Sequence, residues 1–198
     1  MTDLAPEDAA RADFYALLAR LWYAGPDAAL LAAIAGAGGL ATEGGQAALA
    51  EAWRALQSVA AGTDAAAAQT EYDALFVGTG KAPVPPYASH YLVETGTERV
   101  LVALREELAG LGLSRNEASH EPEDHFAALC EAMRHLVAAG SSDAALQRQK
   151  NFFTCYLHRA YNPLTERVMA STETSFYRTV ARVTKAFCDT EAASLDML

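Results

Sequence analysis

The stretch EPEDHFAALCEAMRHLVAAG, residues 121–140, decides the fold. Pro122 is suited to a first helical turn, where its missing N–H is not needed, and Glu123 and Asp124 would stand where the helix dipole favours anions. Leu129, Met133 and Leu136 then recur at three- and four-residue intervals, which puts them on one face, and Gly140 supplies the stop. This is the pattern of an amphipathic helix, with polar residues left for the opposite side.

The same punctuation extends in both directions. Pro6, Glu7 and Asp8 open a helix whose apolar residues Phe14, Leu17, Leu18 and Leu21 carry it to about Tyr23. Gly25 and Pro26 restart a short helix through Ile34, which the glycines at 36, 38 and 39 end. Further helices are expected from about Glu43 to Ala60, and from Thr63 to Val77 with Asp64 as cap and Gly78 as stop. The density of proline and glycine between Gly78 and Tyr87 excludes helix there and predicts a rigid loop.

Thr95 and Glu98 have the spacing of a capping box, opening a helix through Leu101, Leu104 and Leu108 to Leu111. Ser141 or Ser142 caps the next, which runs through Leu146, Phe153, Tyr156 and Leu157 to a break at Asn162-Pro163. A last helix is expected from about Ser171 to Cys188, with a frayed tail over 191–198. Alternating runs rich in Val, Ile and Thr are scarce. The expected fold is an all-α, single-domain bundle of about eight helices with short connectors, spanning 1–198.

Composition narrows the function. With 198 residues, 52% of them hydrophobic, the chain buries a core without a disulfide scaffold. Cys130, Cys155 and Cys188 lack metal-knuckle or C-x-x-C spacing and read as reduced core residues of a cytosolic protein. The first eight residues carry acidic groups and no basic one, unlike a secretory signal, and no apolar run reaches 18 residues, so neither secretion nor a membrane span is expected. A formal charge of −10 disfavours nucleic acid as a partner and attracts a basic peptide; it equally suits an acidic surface that only maintains solubility.

Two clusters stand out. In His120-Glu121-Pro122-Glu123-Asp124-His125, two imidazoles and three carboxylates fall within six residues. One reading is a metal-dependent hydrolase or oxidoreductase using His120, Glu121, Asp124 and His125. The histidines are five apart with a proline between them, however, and no second copy supplies a carboxylate-bridged site. A second reading makes the acids complements of a helix start and His125 a packing residue. A third turns Asp124 and His125 outward at a cleft, as acceptors for a basic or backbone donor.

The other cluster is Glu71-Tyr72-x-x-Leu75-Phe76-Val77-Gly78, followed by Pro85-Pro86-Tyr87-x-Ser89-x-Tyr91. Tyr72 and Phe76 are i, i+4 neighbours, so they form an aromatic ridge suited either to core packing or to an apolar peptide. The fragment Gly78-Thr79-Gly80-Lys81 departs from a phosphate loop, with Leu75 where the first glycine belongs and Ala82 after the lysine. No nucleophile elbow is present.

Together these clusters resemble the TorD/DmsD/NarJ family of redox-enzyme maturation chaperones. Glu71 to Gly78 with Pro85 to Tyr91 match one motif, and Glu121, Pro122, Asp124 and His125 match E-P-x-D-H; Phe153 and His158 resemble the family's later aromatic and histidine positions. The region near the first motif lacks the tryptophans frequent there in relatives, as Trp22 and Trp53 lie earlier. The resemblance implies a cytoplasmic chaperone, not an enzyme and without a cofactor of its own. It would hold the twin-arginine signal peptide of an immature molybdoenzyme subunit during cofactor insertion, with the Tat translocase a further candidate partner. Tyr72, Leu75, Phe76, Pro86, Tyr87, Ser89 and Tyr91 would line the peptide groove, and Glu121, Pro122, Asp124 and His125 would form its polar end. The chain is expected to be a monomer or a domain-swapped homo-oligomer.

Overall fold

The computed structural model describes residues 4–40, 47–77, 82–115, 121–172 and 174–198, and these form an all-α protein. In chain order the helices are α1 (Pro6–Tyr23), α2 (Ala28–Gly36), α3 (Ala47–Gly62), α4 (Ala65–Tyr72), α5 (Ser89–Leu92), α6 (Thr97–Gly110), α7 (Phe126–Ala138), α8 (Asp143–Phe152), α9 (His158–Ala170) and α10 (Phe176–Asp196). Wide π turns at Asp73–Val77 and Phe153–Leu157 extend α4 and join α8 to α9. The helix start expected at Glu43 and the stop at Gly78 lie outside the described residues.

The chain divides into two compact units, each discontinuous in sequence. The first comprises the chain up to Tyr23, Pro86–Ala160 and Leu195–Leu198; the second comprises Ala24–Pro85 and Tyr161–Ser194. In the first unit α1 packs along α7, with α8 and the second π turn beside α7. Its core holds Tyr15, Leu18 and Trp22 from α1 and Phe126, Leu129 and Met133 from α7, and the Trp22 and Phe126 rings meet edge-to-face at 5.2 Å. Burial of each such aliphatic or aromatic side chain contributes about 1.5–3 kcal/mol. In the second unit α2 packs on α3, where the Trp53 indole N–H donates to the Gly38 carbonyl at 3.0 Å.

Local chemistry accounts for several helix ends. Asp27, Asp64 and Ser142 each accept the N–H of the residue three positions on, satisfying a donor that the helix itself leaves unpaired. Gly140, with φ at 115°, follows α7 in a conformation that a Cβ would oppose.

Five expectations are corrected. The Thr95/Glu98 capping box does not form, because Gly96 takes the N-cap in the left-handed region and the helix starts at Thr97. Pro122 does not open a helix: residues 122–125 make a turn, residues 124–126 pair with 86–88, and α7 begins at Phe126. Asn162-Pro163 does not break the chain, since Pro163 lies inside α9, where the buried Ala160, Tyr161, Leu164 and Val168 hold the helix against the lost hydrogen bond. The tail is not frayed from Glu191; α10 runs to Asp196, with Glu191 and Leu195 buried. Cys155 is exposed, although Cys130 and Cys188 are buried free thiols as expected.

Candidate functional site

The first unit carries the more elaborate polar construction. Residues 86–88 and 124–126 run antiparallel in a single bridge between Tyr87 and His125, closed by Ala88 N–H donating to the Asp124 carbonyl and Phe126 N–H to the Pro86 carbonyl, each at 2.8 Å. Extended pairing of this kind uses the backbone that a helix from Pro122 would have needed. It also brings the Pro-Pro-Tyr segment and the Glu-Pro-x-Asp-His segment side by side, although Tyr87 and Glu121 are 34 positions apart in sequence.

The side chains complete the joint. Asp124 Oδ2 accepts the Ser89 N–H at 3.2 Å, capping the short α5, whose own N-cap Ala88 has no polar side chain. The Tyr87 hydroxyl donates to Glu121 Oε2 at 2.9 Å. Burial, followed by that hydrogen bond and the Glu121 charge, pushes the Tyr87 phenol up to about 12, so it remains a proton donor. His125 Nδ1 accepts the Ala127 N–H at 3.2 Å, which makes the imidazole the N-cap of α7. An imidazole can accept only at an unprotonated nitrogen, so His125 is neutral with its proton on Nε2. Burial lowers its pKa, opposed by the charges of Glu121 and Asp124. Its ring meets Tyr87 at 5.6 Å and Tyr23 at 6.2 Å, both edge-to-face.

Asp124 and His125 are each 2% exposed. The expectation that both turn outward at a cleft is therefore corrected for Asp124, whose carboxylate is spent on the backbone of α5. His125 is buried too, but its ring borders a cavity of about 590 Å³ within this unit. The cavity runs along α7 past Ala128, Glu131, Ala132, His135 and Ala138. Tyr23 and Asp13 of α1 bound it on one side, and Leu108, Leu113 and Arg115 on another. Glu121, Pro122 and Glu123 lie in the same lining. The row on α7 consists of small or polar residues at helical spacing, and alanine leaves room where larger side chains would fill it.

Of the residues singled out from sequence, Glu121, Pro122 and His125 line this cavity; Pro86, Tyr87, Ser89 and Asp124 hold the wall behind them. Tyr91 is half-buried, with its ring against His90 at 5.0 Å. Phe153 and His158 meet at 6.0 Å. Tyr23, Leu108, Leu113, Arg115 and the alanine row of α7 were not singled out. A usable signal existed in the second helical face of residues 128–138, opposite Leu129, Met133 and Leu136.

Tyr72, Leu75 and Phe76 belong to the second unit, where they are 8%, 3% and 5% exposed. The Tyr72 and Phe76 rings lie 5.1 Å apart and both contact Tyr177, at 5.7 and 5.3 Å. Glu71 of the same motif caps α10: its carboxylate accepts the N–H groups of Ser175, Phe176 and Tyr177 at 3.0–3.3 Å and the Ser175 hydroxyl at 3.1 Å. The motif thus begins with a carboxylate tied to the start of a helix about a hundred residues away.

Among the described residues, no group of three or more His, Cys, Asp or Glu is arranged to hold a metal ion, and no helix is long and apolar enough to cross a membrane. His120, which the metal-dependent reading required, lies outside the described residues, as do Gly78 to Lys81. His125 Nδ1 already accepts a backbone hydrogen bond, and the Asp124 carboxylate caps α5.

An all-helical chain that pairs these two segments across one joint fits a known family. The model for the nitrate reductase delta subunit family matches residues 42–160, and the chain belongs to that family. It is similar to the chaperone protein TorD of Vibrio parahaemolyticus serotype O3:K6 (strain RIMD 2210633), with 26% identity over 130 residues, 61% of this chain and 60% of the relative's length.

Proposed function

We propose that this protein is a cytoplasmic maturation chaperone, not an enzyme, that binds the twin-arginine signal peptide of a molybdoenzyme subunit until its cofactor is in place. The observation that carries the reading is the cavity along α7, whose lining, apart from Ala12, Asp13 and Tyr23 of α1, lies in the part of the chain the family match covers and includes the motif residues Glu121, Pro122 and His125. The relative's name as a chaperone supports the same class. The two units together would act as one chaperone module.

The chemistry of the cavity suits such a peptide. A twin-arginine leader presents paired guanidinium groups followed by an apolar run. The lining offers carboxylates at Asp13, Glu121, Glu123 and Glu131, the last paired with Arg134, beside Arg115 and apolar surface at Tyr23, Leu108, Leu113 and the alanines of α7. Each exposed carboxylate–arginine contact contributes about 0.2–1 kcal/mol, so the apolar run supplies most of the affinity. Tyr87, Ser89, Asp124 and Pro86 hold the wall, and Tyr91 lies next to it in sequence. For Tyr72, Leu75 and Phe76 burial supports packing in the second unit; a share in the peptide groove would appear as weaker binding at Phe76→Ala.

Titration calorimetry with the leader of a molybdoenzyme encoded beside this protein tests the reading. Saturable binding that weakens modestly with added salt is expected. Absence of saturation with every such leader from the host would overturn it, and equal binding after both arginines are replaced by alanine would point to a client that stays in the cytoplasm.

A further inference from the structure

Glu123 sits in the cavity lining with its side chain 12% exposed, and its Oε2 lies 3.0 Å from Arg105 Nη2. Among the described residues, this ion pair is the contact that Oε2 makes with a cation, and no further hydrogen-bond donor meets it there. Arg105 projects from α6 and is itself 54% exposed and outside the lining. The Arg105 contact nonetheless holds the Glu123 carboxyl below the usual range, against its burial, so it is ionised when the cavity is empty. A carboxylate with little contact to water is stabilised by a nearby cation. Arg105 reaches it at the end of a long, mostly solvated side chain, and the charge of Arg115 in the cavity lining adds to the same effect.

Such an arrangement satisfies a guanidinium-binding position without closing it. A carboxylate presents two oxygens to the planar fork of an arginine, a match that the compact ammonium of lysine lacks. The pair is cheap to open, because half of it is exposed to water and screened by it. We propose that Glu123 reads an arginine of the bound peptide and that Arg105 is an internal stand-in which the peptide displaces. This rests on the peptide-binding reading above and adds to it a specificity-determining carboxylate and a built-in competitor. Arg105 lowers affinity for every arginine-bearing segment, and the peptide overcomes this only when its apolar run is seated as well. Glu121, whose Oε2 is engaged by Tyr87, is less available for the same task.

The test uses the full-length protein and three fluorescent peptides: a leader with paired arginines, the same leader with paired lysines, and the same leader with paired alanines. Against wild type, Arg105→Ala is expected to tighten the arginine peptide by about 2- to 5-fold, the range an exposed ion pair supplies, while leaving the alanine peptide unchanged. Glu123→Gln, which keeps the size of the side chain, is expected to shrink the preference for arginine over lysine and alanine by a comparable factor. Thermal melts establish that both variants fold. Unchanged or weakened arginine-peptide binding in Arg105→Ala, or an equal change for all three peptides, overturns the inference while leaving the chaperone reading intact if wild type binds. Failure of wild type and both variants to bind any of the peptides removes both.

Discussion

Asp124 Oδ2 accepts the Ser89 N–H while its own backbone carbonyl accepts the Ala88 N–H. One residue thus fixes the start of α5 from 35 positions away in sequence. Asp124→Ala leaves a buried N–H without a partner and is expected to cost about 1–3 kcal/mol, read as a fall in the urea midpoint. Asp124→Asn, which keeps an acceptor, should lose less. Equal midpoints for wild type and Asp124→Ala would show that the carboxylate serves something other than the fold.

His125 gives stability a pH dependence of known sign. Burial sets its folded pKa below the unfolded value of 6.5. Between those two values the unfolded chain binds more protons, so stability rises with pH through this window and is lost as pH falls below about 6.5. Protonation also removes the acceptor for the Ala127 N–H. Denaturation midpoints at pH 7.5 and 5.5 should differ more for wild type than for His125→Asn, which retains a capping acceptor without titrating. An identical difference in both would exclude His125 as the group.

Glu71 ties α4 to α10 through four hydrogen bonds, three of them from backbone N–H groups at a helix start. Glu71→Ala is expected to destabilise by about 1–2 kcal/mol, with Glu71→Gln intermediate. Hydrogen exchange should locate the loss in the first turn of α10. Protection lost evenly over the whole chain, with no excess there, would argue against a local cap.

Phe76→Ala removes a ring packed against Tyr72 and Tyr177 and is expected to cost about 3–5 kcal/mol in thermal or chemical unfolding. If packing is its whole role, peptide affinity of the folded fraction stays at the wild-type value. A drop in that affinity would give the ridge a share in the groove.

The all-α class was legible because short polar residues and glycines mark helix ends by local hydrogen bonding. Asp64, Ser142 and Gly140 act where the sequence places them. What was hidden depends on distant partners. Pro122 reads as a helix start until residues 124–126 pair with 86–88, and Pro163 reads as a break until the buried face of α9 outweighs one missing hydrogen bond. The Glu-Pro-x-Asp-His motif was found, but not the division of labour within it. Glu121 and His125 face the cavity, Asp124 faces the backbone, and Glu123, which the motif leaves unspecified, takes a guanidinium. The alanine row of α7 is legible only as a second, small-residue face of residues 128–138, and what faces it comes from α1 and from residues 108–115, which sequence spacing does not bring together.

Photo-crosslinking of the bound peptide tests the central claim most directly. A twin-arginine leader carrying a photoreactive phenylalanine analogue just after the arginines, irradiated in complex with the full-length protein, is expected to label Leu113, Ala128, Ala132 or His135, and mass spectrometry of the digest would locate the adduct. Labelling confined to Tyr72, Phe76 and Tyr177, with none along α7, would contradict the account.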